Sequence, residues 1–370
     1  MGEEAIFGVI GMNETRRVER DVRAGVRVGP EEALALLEKA DFLTLASLAD
    51  HVRRTKHPDR TVTYIIDRNI NYTNACNAFC SFCAFYRPPS HEEAYVLSYE
   101  AIAAKIRELK GAGGIQILLQ GGHNPDLKID YYEELFRRLK SDFPDIWLHA
   151  LSPPEITHIR KSSRLTLRQT IERLREAGLD SIPGGGAEIL VDDVRLRLAT
   201  NKCSAGEWLD VMEEAHRQEV RSTATMMFGH IETLSQRIEH LARLRDLQDR
   251  TGGFTAFICW TYQPGNTDLG GREATSVEYL RTLAVSRIFL DNVENVQASW
   301  VTQGPRVGQV SLSFGVNDMG STMFEENVVS AAGTVHSMDE AAIVRVIRDA
   351  GYVPLRRNML YEPLGEPLHA

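Results

Sequence analysis

Three of the five cysteines fall within eight residues, Cys76, Cys80 and Cys83, in the polar run NYTNACNAFCSFC. Thiolates are soft, strong ligands, and three on one tight loop can hold three corners of an iron–sulfur cube. The fourth iron would then have no protein ligand and would stand open to a small chelating molecule. An electron-transfer ferredoxin would instead want a fourth cysteine. Cys203 and Cys259 are distant in the chain, and nothing in the sequence brings either one close. A zinc site made of the three cysteines and His91 has the right number of ligands, but its spacing fits only loosely. Packing explains the cluster less well, because Cys76 and Cys80 sit among polar residues. An odd count with such clustering points to metal binding rather than disulfides, as expected in a reducing compartment.

A loop of this kind needs a frame, and the rest of the chain supplies one. Short β-branched or aromatic runs recur at Val62–Ile70, Ile115–Gln120, Ile146–Leu151, Ser181–Ile182, Ser222–Phe228, Phe254–Trp260, Val293–Trp300 and Val310–Phe314. Amphipathic helical patterns lie between most of them, at Tyr99–Leu109, Asp130–Leu139, Leu167–Ala177, Glu207–Gln218, Leu234–Gln248 and Val277–Phe289. The seventh crossover, Thr302–Gly308, is short, and a last helix is expected at Asp339–Asp349. Strands alternating with helices predict βαβ units and a parallel sheet, and eight units suggest a (β/α)8 TIM-like barrel. An open doubly wound sheet is the runner-up, but no GxGxxG opens the first unit. Before the first strand, Pro30 starts a helical stretch with Leu34, Leu36, Leu37 and Leu43 on one stripe. We therefore divide the chain into an N-terminal helical extension, 1–60, and a barrel with a C-terminal lid and helix, 61–370. In a barrel the chemistry sits at the carboxyl ends of the strands. The post-strand segments here are rich in Gly, Asn, Gln, His, Ser and Glu, whereas the strands are apolar.

Composition narrows the function. The 370 residues are 43% hydrophobic and 25% charged, ordinary for a soluble globular protein with a large core. A net charge of −9 and the lack of an arginine-rich stripe argue against nucleic acid as the main partner. No apolar run approaches the length of a membrane span. Glu3 and Glu4 stand where a secretory signal wants positive charge, and Ile6 stands where a myristoylation motif wants Ser or Thr, so a cytoplasmic location is expected.

The Cys-x3-Cys-x2-Cys spacing, with Phe82 before the third cysteine and the motif after the first barrel strand, resembles the radical S-adenosylmethionine (SAM) superfamily. The resemblance extends to DRNINYTNAC (67–76) with CAFYR (83–87), LLQGGHNPDLKIDYYEELF (118–136), HALSPPEI (149–156) and PGGGAEILVDDVR (183–195). It continues through TATMMFGHIET (223–233), TGGFTAFICWTYQPGNT (251–267), QASWVTQGPRVGQ (297–309) and GSTMFEENVVSAAGT (320–334). Together these phrases are similar to the dehypoxanthine futalosine cyclase family of menaquinone biosynthesis, over about residues 30–360. One departure is Cys259, where that family would have proline.

The resemblance implies a radical SAM barrel carrying one [4Fe–4S] cluster on Cys76, Cys80 and Cys83, with S-adenosyl-L-methionine as cosubstrate. It implies abstraction of the ribose C4′ hydrogen of dehypoxanthine futalosine, addition of the carbon radical to the benzoate ring, and loss of an electron and a proton. It also implies an external electron donor such as flavodoxin or ferredoxin, with no nucleic acid and no membrane insertion. Aminofutalosine synthase and deazaflavin-cofactor synthase are near relatives. A barrel with a structural zinc and hydrolytic chemistry elsewhere is the reading from a different class, but the chain has no HExxH and no GxSxG.

Residue roles can be assigned on that reading. Gln120, Gly121 and Gly122 correspond to the glycine-rich contact with the methionyl amino group, although glycines also make tight turns. Ser152 is a candidate for the cofactor's ribose hydroxyls, or a turn residue beside two prolines. Glu188 is a ribose or ammonium contact, or a helix-start carboxylate. Phe85 and Tyr86 are candidates to stack on adenine, or belong to the core. Arg306 is the expected strand-end arginine for the benzoate, and Gln263, Asn266, Thr302 and Ser321 are candidates for the sugar hydroxyls. His230 is the candidate base for the last proton, or a structural partner of Glu232. The loop 315–338 is the candidate lid, or a plain connector to the last helix.

Overall fold

The computed structural model describes residues 15–368. Three helices come first: α1 (15–23), α2 (Pro30–Lys39) and α3 (Phe42–Lys56). The single helical stretch expected from Pro30 is interrupted because Ala40 is extended and Asp41 caps a new helix, its carboxylate accepting from the Leu43 and Thr44 N–H groups. Of these, α2 packs on α10 (Leu234–Thr251) and α11 (Ser276–Phe289), and α3 packs on α11, outside the sheet.

The sheet has ten strands, and every named pairing is parallel. The first expected strand is bent at Ile66 into β1 (Thr61–Ile65) and β2 (Asp67–Asn71). Next come β3 (Gln116–Gln120), β4 (Trp147–Ala150), β5 (Ser181–Ile182), β6 (Arg221–Phe228), β7 (Phe254–Thr261) and β8 (Asn295–Gln297). Two more strands, β9 (Asp318–Ser321) and β10 (Val353–Arg356), end the set. In sheet order the run starts β10-β1-β9 and ends β3-β2. Because β1 and β2 are one continuous piece of chain, the ends meet and the sheet closes as a TIM-like barrel.

Alternation along the strands decides what faces where. Ile117, Leu119, Ala224, Met226, Phe257 and Cys259 are fully buried and lie in the main apolar core. Their neighbours Gln116, Leu118, Gln120, Thr223, Thr225, Ile258 and Trp260 point the other way, into a cavity along the lumen. Side chains thus fill the outer layer while the lumen stays open for a ligand. Among the described residues no helix is long and apolar enough to cross a membrane.

The outer helices include α4 (Tyr99–Gly111), α5 (Ile129–Asp142), α7 (Leu167–Ala177) and α9 (Ala205–Arg217), close to their expected positions, as are α10, α11 and α14 (Glu340–Asp349). Three helices lie where loops were expected, α6 (Pro153–Ser163), α8 (Asp192–Leu198) and the short α13 (Val328–Ala331).

The eighth strand is not where the pattern put it. Residues expected to form a short crossover and the strand Val310–Phe314 instead form α12 (Trp300–Ser311) and a 3-10 turn, Leu312–Phe314. Gly304 (φ 79°) and Pro305 break α12 into two segments. The pair reads in sequence as a turn, although Pro305 only restarts the helix. The true strand, β9, lies within a stretch expected to be loop. Its composition hides it: Asp318, Met319, Gly320 and Ser321 are all buried, but none is β-branched or aromatic. The added strand β10 pairs with β1 from Thr61–Val353 to Tyr64–Arg356. It brings the C-terminal segment under the barrel, and that segment lines the lumen at Arg357, Met359 and Tyr361.

Candidate functional site

The cysteine loop leaves β2 at Asn71 and is pinned before it reaches the thiols. Thr73 Oγ1 donates to the Tyr95 carbonyl (2.5 Å), and the Asn74 side chain bridges the Glu93 carbonyl (3.0 Å) and the Tyr95 N–H (2.8 Å). Cys76 N–H donates to the Arg87 carbonyl (2.9 Å), and Phe79 takes a left-handed φ of 51° as the chain turns towards Cys80. Cys76, Cys80 and Cys83 all line one cavity. Backbone N–H groups of Ala78 (3.4 Å) and His123 (3.2 Å) point at Cys76 Sγ. Burial pushes the Cys80 thiol up to about 12 and raises that of Cys83 as well, so thiolates here need a cation beside them.

These features fit a cluster held on thiolates, whose sulfurs accept backbone N–H bonds and need compensating positive charge. They do not fit a single zinc ion. Among the described residues no three His, Cys, Asp or Glu groups converge as one ion requires. His91 is exposed, and its Nδ1 takes the Glu93 N–H (3.1 Å).

The opposite wall of the thiol cavity comes from the ends of β3 and β4. It includes Gln120, Gly121, Gly122 and Ser152, and Phe85 and Tyr86 also line the cavity. A Cβ on Gly122 would lie 2.3 Å from the Ala75 carbonyl oxygen and 2.7 Å from Cys76 Cβ. Only glycine lets the strand end come this close to the ligand loop. Glu155, which sequence reading passed over, ties the wall together. Its Oε1 accepts from the Gly121 N–H (2.9 Å) and the Tyr72 hydroxyl (2.9 Å), and its Oε2 accepts from the Ser152 N–H and hydroxyl (both 2.7 Å). The signal was present as Ser152-Pro-Pro-Glu155, a capping-box pattern opening α6 with proline at its first position. Burial raises the Glu155 carboxyl against these four donors.

Glu188 does not line either cavity. It is buried at a left-handed φ of 42° and pairs with Lys202 (2.8 Å) and Arg195 (3.4 Å). Lys202 does line the thiol cavity. Burial pulls its pKa down, but the neighbouring Glu188 and Cys80 outweigh this and raise it overall, so Lys202 is a cation beside the thiols.

The second cavity fills the lumen and shares Gln120 with the first. Its walls are Leu118, Ile258 and Trp260, with Thr302 and Ser321 among the polar groups. The polar floor holds Asp67, Gln116, His149, Arg357 and Tyr361. Arg357 donates to Asp318 through Nε (2.6 Å) and Nη2 (2.9 Å). Asp67 accepts from the Ser321 hydroxyl and from Gln116 Nε2 (2.9 Å). Burial lifts Asp67 to about 6, although Ser321 and Arg357 work against it.

Met323, Glu326 and Val329 close the lumen from above, and Val328 reaches the thiol cavity. The segment 322–338 is therefore a cover. Gln263 and Asn266 hold it: Thr334 Oγ1 donates to Gln263 Oε1 (2.6 Å), and Asn266 Nδ2 donates to the Ala331 carbonyl (3.0 Å). Neither residue lines the lumen cavity.

Two further expectations meet a different geometry. Arg306 sits on α12 rather than at a strand end, and its side chain is exposed. The arginine in the lumen is Arg357, which lies in the C-terminal segment that the sequence pattern left unassigned. His230 lines neither cavity, and its side chain is fully buried. Its Nε2 lies 3.1 Å from the Met227 carbonyl, and its Nδ1 lies 2.9 Å from Glu232 and 2.7 Å from the Ile231 N–H. Burial raises the Glu232 carboxyl, but His230 and Arg237 outweigh it and hold the group down at about 2. Both ring nitrogens of His230 are thus engaged in structure.

Comparison with known proteins agrees with this arrangement. Residues 70–244 match the radical SAM superfamily, and residues 251–370 match the CofH/MqnC C-terminal region. The chain is 47% identical over 346 residues to cyclic dehypoxanthine futalosine synthase of Halalkalibacterium halodurans, covering 93% of each chain. It is 40% identical to aminodeoxyfutalosine synthase of Thermus thermophilus, over 93% of this chain and 94% of the relative. The crystal structure of methylornithine synthase shares the fold at a TM-score of 0.71 and 20% identity, over 91% of this chain and 97% of that one. The chain belongs to the radical SAM superfamily and, within it, to the cyclic dehypoxanthine futalosine synthase family.

Proposed function

We propose that this enzyme cyclises dehypoxanthine futalosine in menaquinone biosynthesis. The observation carrying the proposal is the pair of adjoining cavities that share Gln120, one lined by three thiols and one running down the barrel. The 47% identity to a cyclic dehypoxanthine futalosine synthase supports the choice of substrate. Cys76, Cys80 and Cys83 would hold a [4Fe–4S] cluster, which with S-adenosylmethionine would supply the radical chemistry that removes the ribose C4′ hydrogen.

The chain's own residues do the positioning. Gln120, Gly121, Gly122, Ser152, Phe85 and Tyr86 form the walls for S-adenosylmethionine, and Glu155 fixes three of their backbone or side-chain groups. Lys202 offers positive charge to the thiolates, anchored by Glu188. The apolar walls Leu118, Ile258 and Trp260 suit an aromatic ring, while Thr302 offers a hydroxyl to a sugar and Ser321 is held on Asp67 at the floor. The cover, tethered by Gln263 and Asn266, keeps water away from a radical that would attack almost any C–H bond. We place the enzyme in the cytoplasm, reduced by an external donor such as flavodoxin or ferredoxin.

The test is anaerobic incubation of reconstituted protein with dehypoxanthine futalosine labelled with deuterium at C4′, S-adenosylmethionine and a reductant. Cyclised product and deuterated 5′-deoxyadenosine are expected in equal amounts. A covalent adenosyl adduct formed from the precursor of aminodeoxyfutalosine would assign the chain to that relative's reaction instead.

A further inference from the structure

Closing the ring requires a proton acceptor in the lumen, and His230 is walled off from it. The titratable groups that line the lumen are few: Asp67, His149, Glu326, Arg357 and Tyr361. Glu326 is occupied, because its two oxygens accept three N–H groups of the cover, from Val328, Val329 and Ser330 (2.8 Å each). His149 has its Nδ1 against Ser181 Oγ (2.7 Å), and burial drives its imidazole down to about 3, a weak base. Arg357 is paired with Asp318, and the Tyr361 ring lies under its guanidinium. Asp67 remains. Each of its oxygens takes one donor, from Ser321 on β9 and from Gln116 on β3, which leaves lone pairs on a carboxylate fixed in place.

We propose that Asp67 is the catalytic residue that accepts the proton released when the cyclised ring regains aromaticity. The proposal rests on the substrate reading above. The C–H bond at the ring carbon newly joined to the ribose breaks. Its proton passes to an Asp67 oxygen, and the unpaired electron leaves to a one-electron acceptor of the iron–sulfur class. In register, Asp67 lies opposite Gln116 and Asn71 lies opposite Gln120, so Asp67 is four residues, roughly 13 Å, below the boundary with the thiol cavity. A ligand with its ribose beneath Gln120 would run its ring down the lumen towards Asp67. The groups facing Asp67 are Arg357 beyond β10, Asp318 on β9, and uncharged Gln116 and Ser321. With burial they bring the carboxyl to about 6, a base that is free at neutral pH yet strong enough to take a proton.

The experiment compares wild type, Asp67→Asn and Asp67→Glu, each anaerobically reconstituted and supplied with substrate deuterated on the benzoate ring. In Asp67→Asn, 5′-deoxyadenosine should still form, cyclised product should fall by about 10²-fold or more, and a ring-deuterium isotope effect on product should appear. Asp67→Glu should recover part of the loss. For wild type, product per 5′-deoxyadenosine should drop as pH falls below about 6. If Asp67→Asn keeps the wild-type product ratio, or loses cofactor cleavage and cyclisation together, the proposal is overturned. Should Asp67→Asn fail to fold, a wild-type ratio that stays flat down to pH 5 overturns it. Wild type that never cyclises this substrate defeats the substrate reading instead, a result that the variants cannot mimic.

Discussion

At the scale of single residues, chemistry and support divide cleanly. Cys76→Ala, Cys80→Ala and Cys83→Ala should each abolish the iron–sulfur absorption of reconstituted protein, measured with iron and sulfide content. Cys203→Ser and Cys259→Ala should keep it, because Cys203 packs against Arg195 and Cys259 faces the outer core. Gly122→Ala should also lose the cluster, since its Cβ would collide with the ligand loop. Arg306→Ala should leave turnover within about twofold, as expected for an exposed helical side chain away from the site. Motif spacing pointed to the three clustered cysteines, and the family resemblance to the Gln120-Gly-Gly turn. It could not separate His230 from a structural histidine, because that depends on what its two nitrogens touch.

At the scale of elements, the cover and the helix starts carry the consequences. Gln263→Ala combined with Asn266→Ala removes two tethers of the 322–338 segment without touching the lumen. Product per 5′-deoxyadenosine should fall several-fold while cofactor cleavage continues, read by chromatography of both species. Asp41→Ala removes the cap that separates α3 from α2 and should cost about 1 kcal/mol in chemical denaturation, with catalysis unchanged. Helices with a regular apolar stripe were legible from periodicity. Where the pattern failed, the cause was local: Gly304-Pro305 disguised α12 as a turn, and β9 holds no β-branched or aromatic residue.

At the scale of the whole molecule, closure and burial set the response to pH. His149 and His240 are fully enclosed, and burial depresses both to about 3. Between pH 6 and 4 the unfolded chain protonates both, while the folded chain does not. Asp67 works the other way, because burial raises it to about 6 in the folded state. His216, depressed to about 4, and Glu232, held down at about 2, add to these histidines, and Asp67 offsets only part, so the unfolded state is richer in protons. Stability should therefore decline as pH falls, by at least roughly 1.4 kcal/mol per unit across that window. Denaturant midpoints at pH 7, 6 and 5 check this, and a midpoint that rises on acidification would refute it. Arg357→Met should be far more damaging than any surface change, because it strands Asp318 without its buried partner, a loss of about 3–5 kcal/mol.

The sequence by itself determined the chemistry and the architecture. Three thiols at a fixed short spacing point to a metal site that a cluster with an open iron satisfies, and alternating apolar runs and amphipathic helices point to a parallel barrel. Both signals are local, so one chain read in order displays them. Tertiary structure alone decided which side chains share a cavity. Closure brought Asp67, Gln116 and the C-terminal Arg357 to one polar floor, turned Arg306 outward, and enclosed His230 between Met227 and Glu232. The physical reason is that a lumen-facing position depends on strand register and on a strand, β10, added from nearly 300 residues away in sequence. Neither leaves a mark in residue type or spacing.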